Sequence, residues 1–174
     1  DYRWINRYIC MIQSYTPIIL HELNKAKGWD YYDDIDWTEA FHQIRLSDKA
    51  SDMLSIVTTM GCIRPRFMME GVSPASSVLQ NAVAQIFSSM NDESITIFDN
   101  ILTGGSKTEL RLRIEKLLKI CYEHNVRLNF KKSFIGHRTA KYFGYELYPN
   151  GYRLDDKRKA AMMDIPFPNH GATK

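Results

Sequence analysis

Two adjacent polar residues, Asp99 and Asn100, interrupt an otherwise apolar stretch, SITIFDNILTGG, at residues 94–105. Two short strands joined by a two-residue turn form a β-hairpin, and Asn tolerates the positive φ that such turns need. The local pattern therefore predicts a hairpin that bends at Asp99 and Asn100. By itself it favours a plain turn, and only the rest of the chain can indicate chemistry at the bend.

Charged residues are distributed unevenly, although the net charge is only +3. Residues 30–39 contain five acids and no base, and residues 111–141 contain nine Lys or Arg against two acids. The acidic segment could hold cations and the basic segment could face phosphates. Both could equally be the solvated faces of ordinary helices and strands.

The periodicity of apolar residues predicts a mixed order of elements. Ser106 and Glu109 have the spacing of a capping box, and Ser73 with Pro74 suits the start of a helix. Helices are predicted at residues 16–27, 74–91, after Ser106 and at 155–164, where Pro166 stops the last one. Strands are predicted at residues 29–37, 53–60, 94–105, 126–130, 140–148 and 151–155, with a short turn or helix at 39–44. This order favours an α+β fold, in which helices pack on one face of a sheet.

The chain has the size and composition of one domain, with 174 residues of which 44% are hydrophobic. Cys10, Cys62 and Cys121 are scattered singly, which predicts buried small side chains and a reducing, intracellular compartment. The sequence has no apolar run near the roughly 20 residues that cross a bilayer, and it begins with no signal-peptide pattern. We therefore expect a soluble protein with no membrane partner.

Several segments then match one family in order and at near-constant spacing. DYRWIN resembles D-Y-R-x-L-N, IDWTEAFHQI resembles I-D-L-x-x-x-Y-H-Q-I, and MMEGVSPASSVLQ resembles M-P-F-G-L-x-N-A-P-x-x-F-Q. IFDNIL stands where Y-x-D-D-I-L belongs, LNFKKSFIG resembles L-x-x-x-K-C-x-F-G, and YFGYELYPNG resembles F-L-G-H-x-I-S-x-x-G. The chain thus resembles the fingers–palm core of a reverse transcriptase, an RNA-directed DNA polymerase, of the gypsy-type LTR retrotransposon branch.

The resemblance implies a palm, with an antiparallel ferredoxin-like sheet and helices on one face, and partial fingers. Residues 1–30 and 44–70 would be fingers-like. Residues 31–43 and 71–165 would be palm-like and include the primer-grip hairpin, and PFPNHGATK at the end resembles the entry to the thumb. The chain would then be a single core truncated at both ends.

The resemblance also implies the site. Asp36, Asp99 and Asn100 take the catalytic positions, and Asp36 and Asp99 the metal-bridging ones, for two Mg²⁺ ions roughly 3.5–4 Å apart. The nucleotide-binding positions fall on Arg3, Phe41, Gly71 and Gln80, with Phe41 as the gate against a ribose 2′-OH or, alternatively, a core aromatic. The positions that contact nucleic acid fall on Arg127, Lys131, Lys132, Lys141, Tyr142 and Gly144.

The sequence departs from the family at its chemical centre. Asn100 replaces the last aspartate of the Y-x-D-D box, Ile97 replaces its tyrosine, and Glu70 places a carboxylate where an apolar residue or Gln is usual. Asn100 removes one negative charge from a site that must hold two cations, so metal affinity should fall. We expect a weak or inactive polymerase that acts on an RNA or DNA primer-template. The alternative is a domesticated structural or nucleic-acid-binding subunit of a larger assembly, with no cofactor.

Overall fold

The computed structural model describes residues 1–165. The α-helices are α1 (Ile19–Leu23), α2 (Asp48–Met53), α3 (Ala75–Ile86), α4 (Lys107–Glu123) and α5 (Asp156–Met163). The strands are β1 (Tyr31–Asp36), β2 (Ile56–Thr58), β3 (Gly61–Ile63), β4 (Ser94–Ile97), β5 (Asn100–Gly105), β6 (Phe134–His137), β7 (Ala140–Tyr142), β8 (Tyr145–Tyr148) and β9 (Gly151–Leu154). Short 3-10 helices lie at Ile5–Arg7, Asn24–Ala26, Ala40–Gln43 and Ser88–Met90.

A four-stranded antiparallel sheet, in the order β4-β5-β1-β6, forms the centre of the fold. β4 and β5 are a hairpin, and β5 pairs with β1 along its whole length, from Tyr31 opposite Gly105 to Asp36 opposite Asn100. Two smaller sheets accompany it: the hairpin β2-β3 and the three strands β7-β8-β9. The α+β class predicted from the sequence is confirmed.

Different elements cover the two faces of the central sheet, because alternate residues of a strand point to opposite sides. Ile35 of β1 belongs to a core cluster with α3 and α4, which includes Leu79, Val83 and Leu117. Tyr32 of β1 belongs to a second cluster, which includes Leu23, Ile95, Leu102, Tyr142 and Leu147. The long helices therefore pack on one face, as predicted, and α1 with the β7-β9 sheet covers the other.

The capping box predicted at α4 is present. The Ser106 hydroxyl accepts a hydrogen bond from the Glu109 amide at 3.4 Å, and the Glu109 carboxylate accepts one from the Ser106 amide at 2.9 Å. These bonds satisfy amide groups that have no partner within the helix. Leu117, which is fully buried, then anchors the apolar face of α4 on the sheet.

Two predicted strands differ in the structure. Residues 53–60 were expected to be one strand, but Met53 ends α2 and the strand is limited to β2, which is followed by a turn. Residues 126–130 form a single bridge, from Leu128 to Trp37, and the fourth strand of the central sheet is β6. At residues 126–130, long-range hydrogen bonds from the Arg127 amide to the Gln43 side chain and from the Asn129 amide to the Asp36 carbonyl take the place of a strand ladder.

Other predicted elements have different boundaries. The helix expected at 16–27 is limited to α1 and one 3-10 turn, and α3 begins after Pro74, with no cap from the Ser73 side chain. The strand expected at 140–148 is split into β7 and β8, because Phe143 and Gly144 both have positive φ, 46° and 79°. Pro166 and the predicted thumb entry lie outside the described residues.

The cysteines correct one further expectation. Cys121 is buried as predicted, but Cys10 and Cys62 are exposed, and all three are free thiols. Within residues 1–165, no helix combines the length and the apolar character that crossing a bilayer requires.

Gly104, on β5, gives a test of the packing between the strand and Trp29. A Cβ atom there would lie 2.6 Å from the Tyr31 carbonyl oxygen and 2.7 Å from the Cδ2 atom of Trp29. We expect Gly104→Ala to lower the free energy of unfolding by about 3 kcal/mol, because the backbone cannot move away without breaking the sheet.

Chemical denaturation measures this effect, with Gly28→Ala as the matched control. Gly28 has a φ of +84° and nothing within 4 Å of its Cβ position, so it should lose only about 1 kcal/mol from backbone strain. Equal losses in the two variants would contradict the packing argument.

Candidate active site

The tip of the β4-β5 hairpin lies one residue earlier than the sequence predicted. Ile97 pairs with Asn100, so the two turn residues are Phe98 and Asp99, and Asn100 begins β5. Phe98 has a φ of 54°, which is uncommon for a bulky side chain. The turn therefore contains local backbone strain that its surroundings must hold in place.

Gln80 of α3 supplies that support. Its side-chain oxygen accepts a hydrogen bond from the Phe98 amide at 2.8 Å, and its amide nitrogen lies 3.4 Å from the Thr96 carbonyl oxygen. The Gln80 side chain is buried. The family resemblance gave this residue a nucleotide-binding role, whereas its contacts in this structure fix the conformation of the hairpin.

Asp36, the last residue of β1, lies beside the hairpin tip. It is the register partner of Asn100, so their side chains are neighbours on one face of the sheet, with Cβ atoms about 4.5–5.5 Å apart. The Trp37 amide donates to the Asp99 carbonyl at 2.9 Å, which joins the end of β1 to the turn. The structure thus brings together the three residues predicted as catalytic.

A loop at residues 129–133 holds the backbone of Asp36 from the other side. The Asn129 amide donates to the Asp36 carbonyl at 2.7 Å, and the Asp36 amide donates to the Ser133 hydroxyl at 3.1 Å. The sequence analysis missed both residues, since it assigned Asn129 to a strand. Both bonds join residues that are more than 90 positions apart, so no local sequence pattern indicates them.

The electrostatics of Asp36 reflect this crowded position. Partial burial raises its pKa above the ordinary value, the Lys132 ammonium lowers it, the Asp99 carboxylate raises it, and a hydrogen bond from the Asn129 side chain lowers it. Asp36 therefore already experiences one like charge and one opposite charge. A carboxylate at position 100 would add a second like charge at close range.

The available donors suit one divalent cation better than two. Asp36 and Asp99 offer carboxylates, and Asn100 offers a neutral amide oxygen, all of which are hard ligands of the type that Mg²⁺ takes. Within the described part of the chain, there is no group of three or more His, Cys, Asp or Glu side chains that could hold a metal ion. The site is therefore poorer in charge than two adjacent cations require.

The acidic segment does not form one cation site. Asp34 lies on the same face of β1 as Asp36, and burial together with the Asp36 charge raises its pKa to about 6. Asp33 lies on the opposite face, because strand residues alternate. The carboxylates are therefore divided between the two sides of the sheet.

The other predicted nucleotide-binding residues lie in different environments. Phe41 is half-buried and packs against two core clusters. Gly71 is exposed with a φ of +84°, and its carbonyl accepts a hydrogen bond from the Asn6 side chain at 2.8 Å. Arg3 is exposed and forms an ion pair with Asp1 at 2.6 Å.

The predicted nucleic-acid contacts divide into exposed and buried residues. Arg127, Lys131, Lys132 and Lys141 are exposed. Tyr142 is buried, and its hydroxyl lies 3.1 Å from the Ile95 carbonyl and 3.2 Å from that of Asn100. Burial takes the Tyr142 side chain out of the predicted nucleic-acid surface, and its hydrogen bonds support the hairpin instead.

The backbone conformation at position 144 explains why this residue is a glycine. Its φ is +79°, and a Cβ atom there would lie 2.7 Å from the guanidinium carbon of Arg158. Its positive φ in the tight turn between β7 and β8 is therefore the reason that Gly is favoured here, since the flexible Arg158 side chain could move away.

Comparison with known proteins gives sequence relatives and structural neighbours, although no protein-family model matches the chain. The chain is 27% identical over 175 residues to the Retrovirus-related Pol polyprotein from transposon 412 of Drosophila melanogaster, covering 97% of this chain and 14% of that polyprotein. It is 23% identical to the Retrovirus-related Pol polyprotein from transposon gypsy of the same organism, covering 88% of this chain and 15% of that polyprotein. The chain thus spans about one-seventh of the length of these relatives.

Two solved structures of a foamy viral protease-reverse transcriptase share the fold. One, in complex with ds DNA, has a TM-score of 0.85 at 18% identity and covers 97% of this chain and 30% of that chain. The other, in complex with an RNA/DNA hybrid, has a TM-score of 0.80 at 18% identity and covers 97% of this chain and 23% of that chain. The chain therefore has a reverse-transcriptase-like fold. Its sequence is similar to segments of retrotransposon Pol polyproteins such as those of 412 and gypsy.

The support of the hairpin by Gln80 can be tested with Gln80→Leu. This change leaves the part-buried Phe98 amide without an acceptor, so we expect the free energy of unfolding to fall by about 1–3 kcal/mol. Hydrogen exchange at the Phe98 amide should accelerate more than exchange at amides in the centre of β5.

Gln85→Leu is the control, because Gln85 lies on the same helix with an exposed side chain. It should leave both the unfolding free energy and the Phe98 exchange rate nearly unchanged. Unaltered exchange at Phe98 in Gln80→Leu would show that the turn keeps its conformation without this hydrogen bond.

Proposed function

We propose that this domain is the fingers–palm part of an RNA-directed DNA polymerase in which nucleotidyl transfer is weak or lost. The observation that carries the proposal is the register pair of Asp36 and Asn100, which puts a neutral amide beside the first carboxylate. Residues 1–30 and 44–70 would be the fingers-like parts. Residues 31–43 and 71–165 would be the palm.

In the proposed reaction, bound Mg²⁺ would activate the primer 3′-oxygen and stabilise the pyrophosphate leaving group. Asp36 and Asp99 would hold the cation, and Asn100 would contribute only an amide oxygen. The backbone bonds from Asn129 and Ser133 keep Asp36 at the end of β1. The residues thus retain the geometry for one cation but lack the charge for a second.

Two further side chains would shape nucleotide binding. Phe41, five positions after Asp36, would exclude a ribose 2′-OH and favour deoxynucleotides. Glu70 is exposed beside Gly71, so its carboxylate would repel the phosphates of an incoming nucleotide. Glu70 would therefore add to the loss of activity caused by Asn100.

Restoring the charge gives the test. We expect Asn100→Asp to bind Mn²⁺ about tenfold more tightly than the unmodified protein, because a third carboxylate offsets more of the cation charge. Titration calorimetry measures this affinity directly, and primer extension on an RNA template should rise at least tenfold.

Asp36→Asn is the control in both backgrounds, and it should remove metal binding and any residual extension. The proposal fails if the unmodified protein extends primers as fast as Asn100→Asp, because the missing charge would then not limit the reaction. Equal Mn²⁺ affinities in the two proteins would also contradict it.

A second candidate function is nucleic-acid binding without catalysis, as a domesticated subunit of a larger assembly. It is supported by Lys132, whose charge lowers the pKa of Asp36 and which therefore lies next to the hairpin tip. Lys131, Arg127 and Lys141 are exposed as well. A basic surface beside a neutralised catalytic centre would bind phosphates without cleaving or forming bonds.

We expect the double change Lys131→Gln with Lys132→Gln to weaken binding to a primer-template duplex and to reduce its salt dependence. Removing two phosphate contacts should lower the slope of log K against log salt by about 2. Fluorescence anisotropy at several salt concentrations gives this slope.

Lys119→Gln, on the exposed side of α4, is the matched control and should leave the slope unchanged. A slope that is the same in the double variant would exclude these lysines from the binding surface. No binding at all by the unmodified protein would favour a purely structural role.

A further inference from the structure

A cavity lies on the face of β1 that is opposite Asp36. It has a volume of about 380 Å³ and lies between α4 and the edge strand β6. Asp33, Leu110, Ile114 and Ile135 are among the residues that line it, and Lys107 and Arg111 of α4 also contribute. Its volume is within the range of sites that bind small molecules.

The carboxylate of Asp33 is the unusual feature of this cavity. Its residue has 0% exposure, and one oxygen accepts a hydrogen bond from the Gly136 amide at 2.7 Å. The other oxygen, Oδ2, is buried and has no hydrogen-bond partner among the described residues. Buried polar atoms without partners are rare in folded proteins, because each one costs free energy.

The sequence offers no structural reason for this carboxylate. The Gly136 amide needs only one acceptor, and the neighbouring side chains Leu110, Ile114 and Ile135 are apolar. Burial also raises the pKa of Asp33, partly offset by the Gly136 hydrogen bond and by His137. A ligand that donates a hydrogen bond to Oδ2 would relieve this cost.

We propose that this cavity is a binding site for a small organic cation, in which an ammonium or amidinium group pairs with Asp33 and an apolar body packs on Leu110, Ile114 and Ile135. A forked or tetrahedral nitrogen head supplies the donors that a carboxylate oxygen prefers. The apolar walls require a hydrocarbon or aromatic body.

The basic residues of the cavity restrict the charge that the ligand can carry at the end away from its cationic nitrogen. Arg111 pairs with Glu115 at 3.0 Å, so its charge is partly compensated, and Lys107 adds a second positive charge. A ligand with a second cationic group would be repelled there, whereas a neutral or acidic tail would be accepted. The site therefore selects a singly cationic or zwitterionic compound.

This site is independent of the proposed polymerase function. Asp33 and Asp36 are three positions apart on one strand, so their side chains point to opposite faces. The cavity contains none of the residues of the hairpin tip. Binding there can be present whether or not nucleotidyl transfer occurs.

Three probes share one aromatic ring and differ in their polar groups: benzylamine, benzyl alcohol and 4-(aminomethyl)benzoate. They test the contributions of the cationic head that would pair with Asp33 and of an acidic tail near Lys107. We expect benzylamine to bind with a dissociation constant of roughly 1 mM, as suits a fragment of this size. Benzyl alcohol should bind about tenfold more weakly, because it lacks the charged head. The acidic tail of 4-(aminomethyl)benzoate should tighten binding a few-fold, and Lys107→Ala should remove that gain.

Methyl NMR titrations of the full chain locate the probe, since the shifts should concentrate on Leu110, Ile114 and Ile135. Asp33→Asn should weaken benzylamine at least tenfold, while Asp36→Asn, on the same strand and opposite face, should not change it. Ile135→Trp is a second variant whose bulk should block the cavity; Ile135 is exposed, so this change should leave folding intact.

The proposal is overturned if benzyl alcohol binds as tightly as benzylamine or if Asp33→Asn leaves the affinity unchanged. Shifts confined to methyl groups outside the cavity would also overturn it. If benzylamine produces no shift up to 20-fold above the expected constant, roughly 20 mM, the cavity does not bind this cation and the proposal is equally wrong.

Discussion

The pairing of β1 with β5 is the constraint on which the rest of the structure depends. Six residue pairs run from Tyr31 opposite Gly105 to Asp36 opposite Asn100, with no irregularity. A shift by one residue would move every side chain of β1 to the other face. It would take Ile35 out of the core with α3 and α4, place Asp36 under the helices and separate Asp36 from the hairpin tip. The same register therefore defines the core and the site.

The tip of the hairpin depends on contacts that come from outside the two strands. Phe98 is held at positive φ because Gln80 binds its amide, and Tyr142 binds the carbonyl groups of Ile95 and Asn100. The helix α3 and the strand β7 thus meet the hairpin from opposite faces. Their polar side chains are buried, so each hydrogen bond is needed to avoid an unpaired group. Gln80 and Tyr142 therefore support the hairpin, a role that the sequence did not indicate.

The sequence predicted the parts of the fold that depend on strong local signals. The capping box at Ser106 predicted α4, the strand predicted at 29–37 contains β1, and the ordered motifs predicted that Asp36 lies beside the hairpin. It did not predict α2, because the six residues of this helix are mostly polar and too few to show an apolar stripe. Nor could it find Asn129 and Ser133, since their role depends on a loop that returns to β1 from a distant part of the chain. Long-range hydrogen bonds of this kind leave no periodic pattern.

Asn100 has opposite effects on the fold and on the proposed chemistry. In the absence of a cation, a carboxylate there would repel Asp36 and Asp99, and burial already raises the pKa of Asp36. An amide of the same shape removes that repulsion and keeps the hydrogen-bonding capacity of the position. The change should therefore raise the free energy of unfolding of the metal-free domain and lower its affinity for metal. Such an exchange of activity for stability is common in proteins. A domain that no longer needed catalysis would lose nothing when Asn replaces Asp at position 100. Its fold would remain, because the pairing of β1 with β5 does not depend on that carboxylate.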